Sequence, residues 1–426
     1  MQSTRRWPGA VVAGTPGKKG GQAVAPYRVM TRRVNLMPSL NCRAFLRLYL
    51  QILALALGAF VADAAEAQTA AKEPVFIGVT GPLTGQYAQY GAQWKKGFDY
   101  ALDEINAGGG INGRPLQYIF EDSQSDPRQT VVIARKFVAD ERIVVEVGDF
   151  SSAASMAASP IYQAAGLVQF GFTNSHPDFT KTGDCIWSNA VNQKDEMPLL
   201  ADLARDMKLG RLAVLYINSD WGRTAKDLFV EAVKKNAGAV VGAEGYLADE
   251  KDFRSAIVRV RDANPDGIAL ISYYPDGAQI VRQIHNAGLP QPIIAGGSIY
   301  SPKFLELGGD AVNGVITNVP FFPGDPRPVV QTFVHGFNAK FGSQPDAYNG
   351  RAYDTFILLA ATMRQFGAER GKIKDGLAKI KDVPSVVYGS VTFDPATRRV
   401  ANPFVSRIMV KDGAWAAWDA KISKNQ

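Results

Sequence analysis

Apolar and polar positions along this chain fall into two rhythms. Short apolar runs of strand length, at 75–80, 116–120, 143–148 and 167–172, are separated by stretches of helical period. In 89–107, for example, Trp94, Phe98, Ala101, Leu102 and Ile105 share one face. Asp126-Pro127 opens another helix, with Asp as cap and Pro at the first position. A second series begins near Gln193: helix 195–207, strand 212–217, helix 224–236, strand 239–246, helix 252–263, strand 267–272, helix 278–287, then strands 292–295 and 314–318. Strand and helix alternate, which predicts an α/β fold with parallel sheets covered on both faces. Past Pro320 the rhythm changes. A Pro-rich connector (321–328) leads to helices 329–341, 347–366 and 372–380 and closing strands 390–394 and 404–410. Two α/β lobes, each finished by a late returning segment, account for this better than a third domain.

The stretch 143–160 carries the first chemical signal. Its apolar run ends in Gly148-Asp149, and Ser151 and Ser152 follow at the start of a small-residue helix. The first N–H groups of a helix lack intrahelical partners and carry partial positive charge, so a serine beside them makes a carboxylate site. Alternatively, Ser151 simply caps its helix. The strand 167–172 ends in a second polar cluster, Thr173-Asn174-Ser175. Adjacent strand ends of a parallel sheet are where open α/β sheets bind small ligands. Aromatic residues recur at other strand ends: Tyr87 and Tyr90, Trp221, and Tyr273-Tyr274. Together they predict the walls of a cleft.

Charge at first suggests a basic protein, with a net of +7. Residues 1–67 hold nine Lys/Arg and two acids, which leaves the remaining chain with 38 of each sign. The body is neutral, so nothing in it points to nucleic acid. The basic segment reads as an export leader, with Arg43 and Arg47 before an apolar run at 48–61 and a small-x-small site at Ala65-Glu66-Ala67. That run is shorter than the ~18 residues of a spanning helix. Cleavage would leave Gln68 first, and Met30 or Met37 are alternative starts. Cys185 is then the only cysteine of the mature chain, which excludes an intrachain disulfide.

Gly108-Gly-Gly110-Ile-Asn-Gly113 has the letters of a dinucleotide fingerprint but follows a helix and precedes a strand, the reverse of the required order. It reads as a helix stop. No P-loop, H-E-x-x-H, C-x-x-C or G-x-S-x-G is present. His176, His285 and His335 have no metal-ligand spacing, and no cofactor or metal is expected. A hydrolase built on Ser151 and His176 is a distant alternative.

Gly81-Pro-Leu-Thr-Gly85, Ala88-Gln-Tyr-Gly91, Asp103-Glu-Ile-Asn-Ala-Gly-Gly-Gly-Ile-Asn-Gly113, Asp126-Pro127 and Lys251-Asp-Phe253 resemble the periplasmic branched-chain (hydrophobic) amino-acid-binding proteins, the type I substrate-binding proteins of ABC transporters. The resemblance spans 73–418. It implies two Rossmann-like lobes with parallel central sheets joined by a three-crossover hinge: a leader at 1–67, lobe 1 at 74–192 plus 320–388, and lobe 2 at 193–319 plus 389–421. Crossovers are expected near Asn192, near Val319 and before Ser390. It further implies a non-enzymatic, monomeric periplasmic receptor that passes its ligand to an ABC permease; a ligand sensor of the same fold is the alternative. Carried over by position, Ser151, Thr173 and Ser175 match the residues that hold the ligand carboxylate and part of the ammonium group. Ser152 and Asn174 stand beside them. Tyr90 matches a lobe 1 pocket aromatic, Trp221 stands where a tyrosine is common, and Tyr273 matches a lobe 2 tyrosine. The departure is Gly297, where amino-acid binders often carry a glutamate for the ammonium. A disulfide of some members is also missing, with Ser125 and Phe150 at its positions. A site lacking that acid should discriminate against zwitterions. The expected ligand is therefore a carboxylate or amide with an apolar or aromatic body rather than leucine, unless Asp276 or Glu196 restores the charge.

Overall fold

A computed structural model describes residues 72–401 and 403–418; the leader reading at 1–67 lies outside them. The chain opens as β1 (Val75–Gly81), α1 (Ala88–Ala107), β2 (Leu116–Asp122), α2 (Pro127–Ala139), β3 (Ile143–Gly148), α3 (Ser152–Ala164), β4 (Val168–Gly171) and β5 (Ile186–Ser188). It crosses into α4 (Gln193–Asp206), β6 (Arg211–Ile217), α5 (Asp220–Lys235), β7 (Ala239–Tyr246), α6 (Arg254–Asp262), β8 (Gly267–Ile271), α7 (Tyr274–Asn286), β9 (Ile293–Ala295), α8 (Pro302–Gly308) and β10 (Ile316–Val319). It then returns through α9 (Pro328–Phe341), α10 (Ala347–Phe366) and α11 (Arg370–Leu377) to β11 (Val383–Ser385), β12 (Gly389–Val391), β13 (Phe393–Asp394) and β14 (Arg399–Val400). A last passage leads to β15 (Ser406–Lys411) and β16 (Ala414–Ala417).

Two seven-stranded sheets result, in the orders β13-β14-β5-β4-β3-β1-β2 and β16-β15-β10-β9-β8-β6-β7. The two cores are laid out alike: β1 pairs in parallel with β2 and β3 as β6 does with β7 and β8. Each lobe finishes with late antiparallel strands at one edge. The central strands are buried on both faces, as their continuous apolar runs require.

The local signals act as expected. Asp126 accepts from Arg128 N and Gln129 N, with Pro127 leading the helix. The glycine run stops α1: Gly110, at φ 63°, donates to Ile105 O, and a Cβ there would meet Arg114 O at 2.1 Å. Gly97 lets α1 press against α10, since a Cβ there would lie 2.4 Å from Asn349 O. Phe98 stacks on Phe356 across that contact with centroids 4.2 Å apart, which ties α10 to lobe 1.

One expected boundary is corrected. The third passage does not precede Ser390; it falls between Val400 and Ser406, after β13 and β14 have joined the first sheet. Alternation at 390–394 marks a strand but does not say which sheet it joins. Phe393 decides it by packing edge-on against Phe170 and Trp187, at 6.0 and 5.4 Å. The three-residue β5 was too short to stand out in the pattern.

Candidate functional site

The carboxyl ends of both sheets face one another, and the polar strand ends of lobe 1 sit there. Asp149, just past β3, is fully buried. It accepts from Ser123 Oγ, from Ser125 Oγ at 2.7 Å, from Thr130 Oγ1 at 3.2 Å and from Ser151 N at 3.2 Å. Burial raises its pKa despite these donors. Asp149 thereby fixes the turn from which α3 starts.

Ser151 proves to be the cap: its Oγ accepts from Ala154 N at 3.4 Å. The N–H groups of Ser152 and Ala153 reach no protein acceptor among the described residues, and the Ser152 side chain lines the interlobe cavity. Thr173 Oγ1 donates to Asp149 O at 3.3 Å and also lines the cavity. Asn174 lies underneath, its Nδ2 donating to Asp149 O at 3.1 Å and Ser155 Oγ at 2.7 Å. Ser175 Oγ reaches across the gap and accepts from Trp221 Nε1 at 2.9 Å.

Lobe 2 supplies the facing wall. Trp221 stacks on Tyr273 at 5.0 Å, and Gly297 and Ser298 complete the floor. Tyr90 stands behind this wall. It stacks on Phe150 at 3.9 Å, donates to Ser298 O at 2.7 Å and accepts from Tyr274 N at 3.3 Å. Tyr90 is therefore a contact between lobes, not a cavity wall. Six of the nine expected residues converge on the cavity: Ser152, Thr173, Ser175, Trp221, Tyr273 and Gly297.

Sequence reasoning passed over Phe150, Ser298, Tyr348 and Arg351, which also line it. Tyr348 and Arg351 sit in the first two turns of α10, far along the chain, where nothing in the local pattern marks them. Glu196, considered only as a substitute acid, is there as well. Its Oε1 accepts from Gly297 N at 3.0 Å. Burial raises its pKa, opposed by that N–H and by the charge of Arg351. The other substitute, Asp276, does not line this cavity; burial pushes its pKa up to about 7.

The cavity measures about 40 Å³, room for roughly two or three waters. A depression of about 570 Å³ lies at the amino ends of β9 and β10, lined mainly by apolar side chains such as Met207, Leu209 and Ile284. The smaller cavity is the better candidate, because converging polar groups at carboxyl strand ends outweigh volume.

The Ser151–His176 pairing of a hydrolase is not formed. His176 Nδ1 accepts from Asp178 N at 3.1 Å, and Nε2 faces Thr224 Oγ1 at 3.2 Å and Asp220 at 3.3 Å. Among the described residues no His/Cys/Asp/Glu cluster could hold a metal, and no helix is long and apolar enough to cross a membrane. Cys185 is buried, as expected.

Comparison with known proteins adds to this geometry. A family profile described as periplasmic binding protein matches residues 74–413. The Leu/Ile/Val-binding protein homolog 2 of Brucella abortus (strain 2308) is 28% identical over 337 residues, covering 78% of this chain and 89% of that protein. A solved structure from Rhodospirillum rubrum, named as a candidate branched-chain amino acid ABC transporter, is 32% identical with TM-score 0.63, over 81% of this chain and all (100%) of that one. A solute-binding protein of an ABC transporter from R. palustris, solved with benzoate, shares the fold at 18% identity and TM-score 0.74, over 81% of this chain and 95% of that one.

Proposed function

The chain belongs to the periplasmic binding protein family, and on that premise we propose that it is the solute receptor of an ABC importer, capturing a small carboxylate ligand between its lobes. The ligand range is that of its relatives, from branched-chain amino acids to aromatic acids. The observation that carries the reading is the cavity between the carboxyl ends of the two sheets, with hydroxyls and a helix N-terminus on one side and Trp221 and Tyr273 on the other.

A cavity of about 40 Å³ cannot admit a leucine-sized molecule as it stands. The lobes must part about the three chain passages and close again over the solute. The closed face then docks on a membrane permease. Ser152 and Thr173 hold the carboxylate, and the aromatic wall covers the apolar body. The receptor acts as a monomer, without cofactor and without transforming its ligand. Residues 1–67 direct export and are removed, leaving a periplasmic chain that begins at Gln68.

A thermal-shift panel of amino acids, benzoate-type acids and short amides tests this on the exported protein, whose mass should be that of the chain from Gln68. A true ligand at about 100 times its Kd stabilises the folded state by about 2.7 kcal/mol. If no compound of the panel moves the melting temperature, the receptor reading fails.

A further inference from the structure

Arg399 is a charged side chain in a place where stability alone favours an apolar one. It stands in β14, beside the third passage between the lobes, and is 5% exposed. The acid that acts on it, Asp195 in the first turn of α4, stays beyond ion-pair distance, and the Arg399 Nε has no acceptor. Burial lowers its pKa to about 10, which leaves it charged at neutral pH. Replacing a buried charge by an apolar group of similar size is often neutral or stabilising.

The fork of the guanidinium shows what the charge is held for. Nη1 donates to Asn174 O at 3.2 Å and Nη2 to His176 O at 2.8 Å. Nη1 also reaches Ser188 Oγ at 3.4 Å, in the strand beside β14. Between these two carbonyls, Ser175 O accepts at 2.9 Å from the N–H of Gln193, which starts α4 just past the first passage. Three consecutive carbonyls of the loop 174–176 are thus fixed by residues next to two of the three passages. Two side chains of that loop reach across the gap. Ser175 Oγ accepts from Trp221 Nε1 at 2.9 Å, and His176 Nε2 faces Thr224 and Asp220. All three partners lie in the first two turns of α5. Gln193 Nε2 closes the set by donating to Trp221 O at 3.0 Å.

We propose that Arg399 is a positioning residue for lobe closure: its fork presents Ser175 and His176 to the start of α5 and so couples the third passage to a contact that shuts the cleft. Arg399 does not line the cavity and acts through the loop. The proposal rests on the receptor reading in that the lobes part and close. Geometry is the operative property, because two carbonyls two residues apart take the two arms of a planar fork. A lysine at this position keeps the charge but not the fork.

Nuclear magnetic resonance of the indole N–H groups in the ligand-free protein, with the Trp221 signal assigned from Trp221→Phe, tests the proposal. In Arg399→Met and Arg399→Lys, hydrogen exchange at the Trp221 indole should quicken about 10-fold, as for the loss of one hydrogen bond. The Trp187 indole donates to Asp184 O and packs on Phe393 in the strand beside β14, and it should exchange as in the parent. In X-ray scattering both variants should show a larger radius of gyration. Parental exchange at Trp221 in either variant, or a parental radius, overturns the proposal. Quickening of Trp187 together with Trp221 overturns it too, since Arg399 would then only hold the sheet edge together. Where Arg399→Met does not fold, Arg399→Lys decides alone. No ligand is used, so the outcome is separate from that of the thermal-shift panel, which judges the receptor reading.

Discussion

Ser151 and Ser152 are neighbours in sequence that the fold separates by role. The first accepts from Ala154 N and ends its influence there; the second faces the cavity. Ser151→Ala should therefore cost about 0.5–1 kcal/mol of stability, at the low end for a cap because the bond is 3.4 Å long, and leave affinity unchanged. Ser152→Ala should leave stability nearly unchanged and weaken carboxylate binding by about 0.5–1.5 kcal/mol. Urea denaturation and titration calorimetry read the two effects; a loss of affinity confined to Ser151→Ala would reverse the assignment. The sequence pointed to this strand end because apolar run, Gly-Asp and hydroxyls follow in order. It could not say which serine turns inward, since that depends on where α3 starts and on Asp149 holding Ser151 N at 3.2 Å. Asn174 illustrates the same limit: a polar residue at a strand end served the turn itself, through Asp149 O and Ser155 Oγ. Arg351 had no local signal, because its place in the cleft is made only when α10 packs against α1.

Among the elements, α10 carries the most consequence for so plain a helix. Asp346 and Asn349 form a capping box at its start, and two turns on Asp354 is buried under the β11–β12 hairpin. Asp354 accepts from Ser385 Oγ and from Val386 N at 2.8 Å. Burial pushes its pKa up to about 7, and that of Asp346 up to about 6. Both values lie above those of the unfolded chain, so the folded state holds protons that the unfolded state has released. Stability should fall as pH rises from about 4 to about 7, by about 1.4 kcal/mol per pH unit while one such group stays protonated. Asp184, held down to about 2 by Lys374 and Gln163, contributes in the opposite sense only below that window. Asp354→Asn should flatten the fall between pH 5 and pH 7 in urea titrations, and an unchanged slope would remove Asp354 as its source. The helical period announced α10, whereas the burden of its Asp354 was invisible, because the hairpin that buries it lies some thirty residues on.

At the scale of the whole molecule, hydrogen bonds join the lobes beside the contact of His176 with Thr224 and Asp220. Tyr90 links to Ser298 O and Tyr274 N, Tyr274 Oη donates to Gln86 O at 3.0 Å, and Trp221 donates to Ser175. Tyr90→Phe keeps the stack on Phe150 but removes both of its bonds across the gap. The ligand-free variant should then scatter X-rays with a larger radius of gyration than the parent, and saturating ligand should restore the compact value. An unchanged radius would mean that the Tyr90 bonds do not hold the lobes together. The two-lobe plan was legible because strand–helix alternation restarts near Gln193. The last passage was misplaced because a short alternating run fits either sheet until Phe393 meets Phe170 and Trp187.

That late passage bears on how the molecule comes into being. The strands that complete one edge of each sheet, β13 to β16, lie between Phe393 and Ala417. A growing polypeptide therefore leaves each half unsealed until its final segment is released from the ribosome. Neither half can mature ahead of the other during synthesis. Truncation anywhere before Phe393 should damage both at once, not spare the half made first.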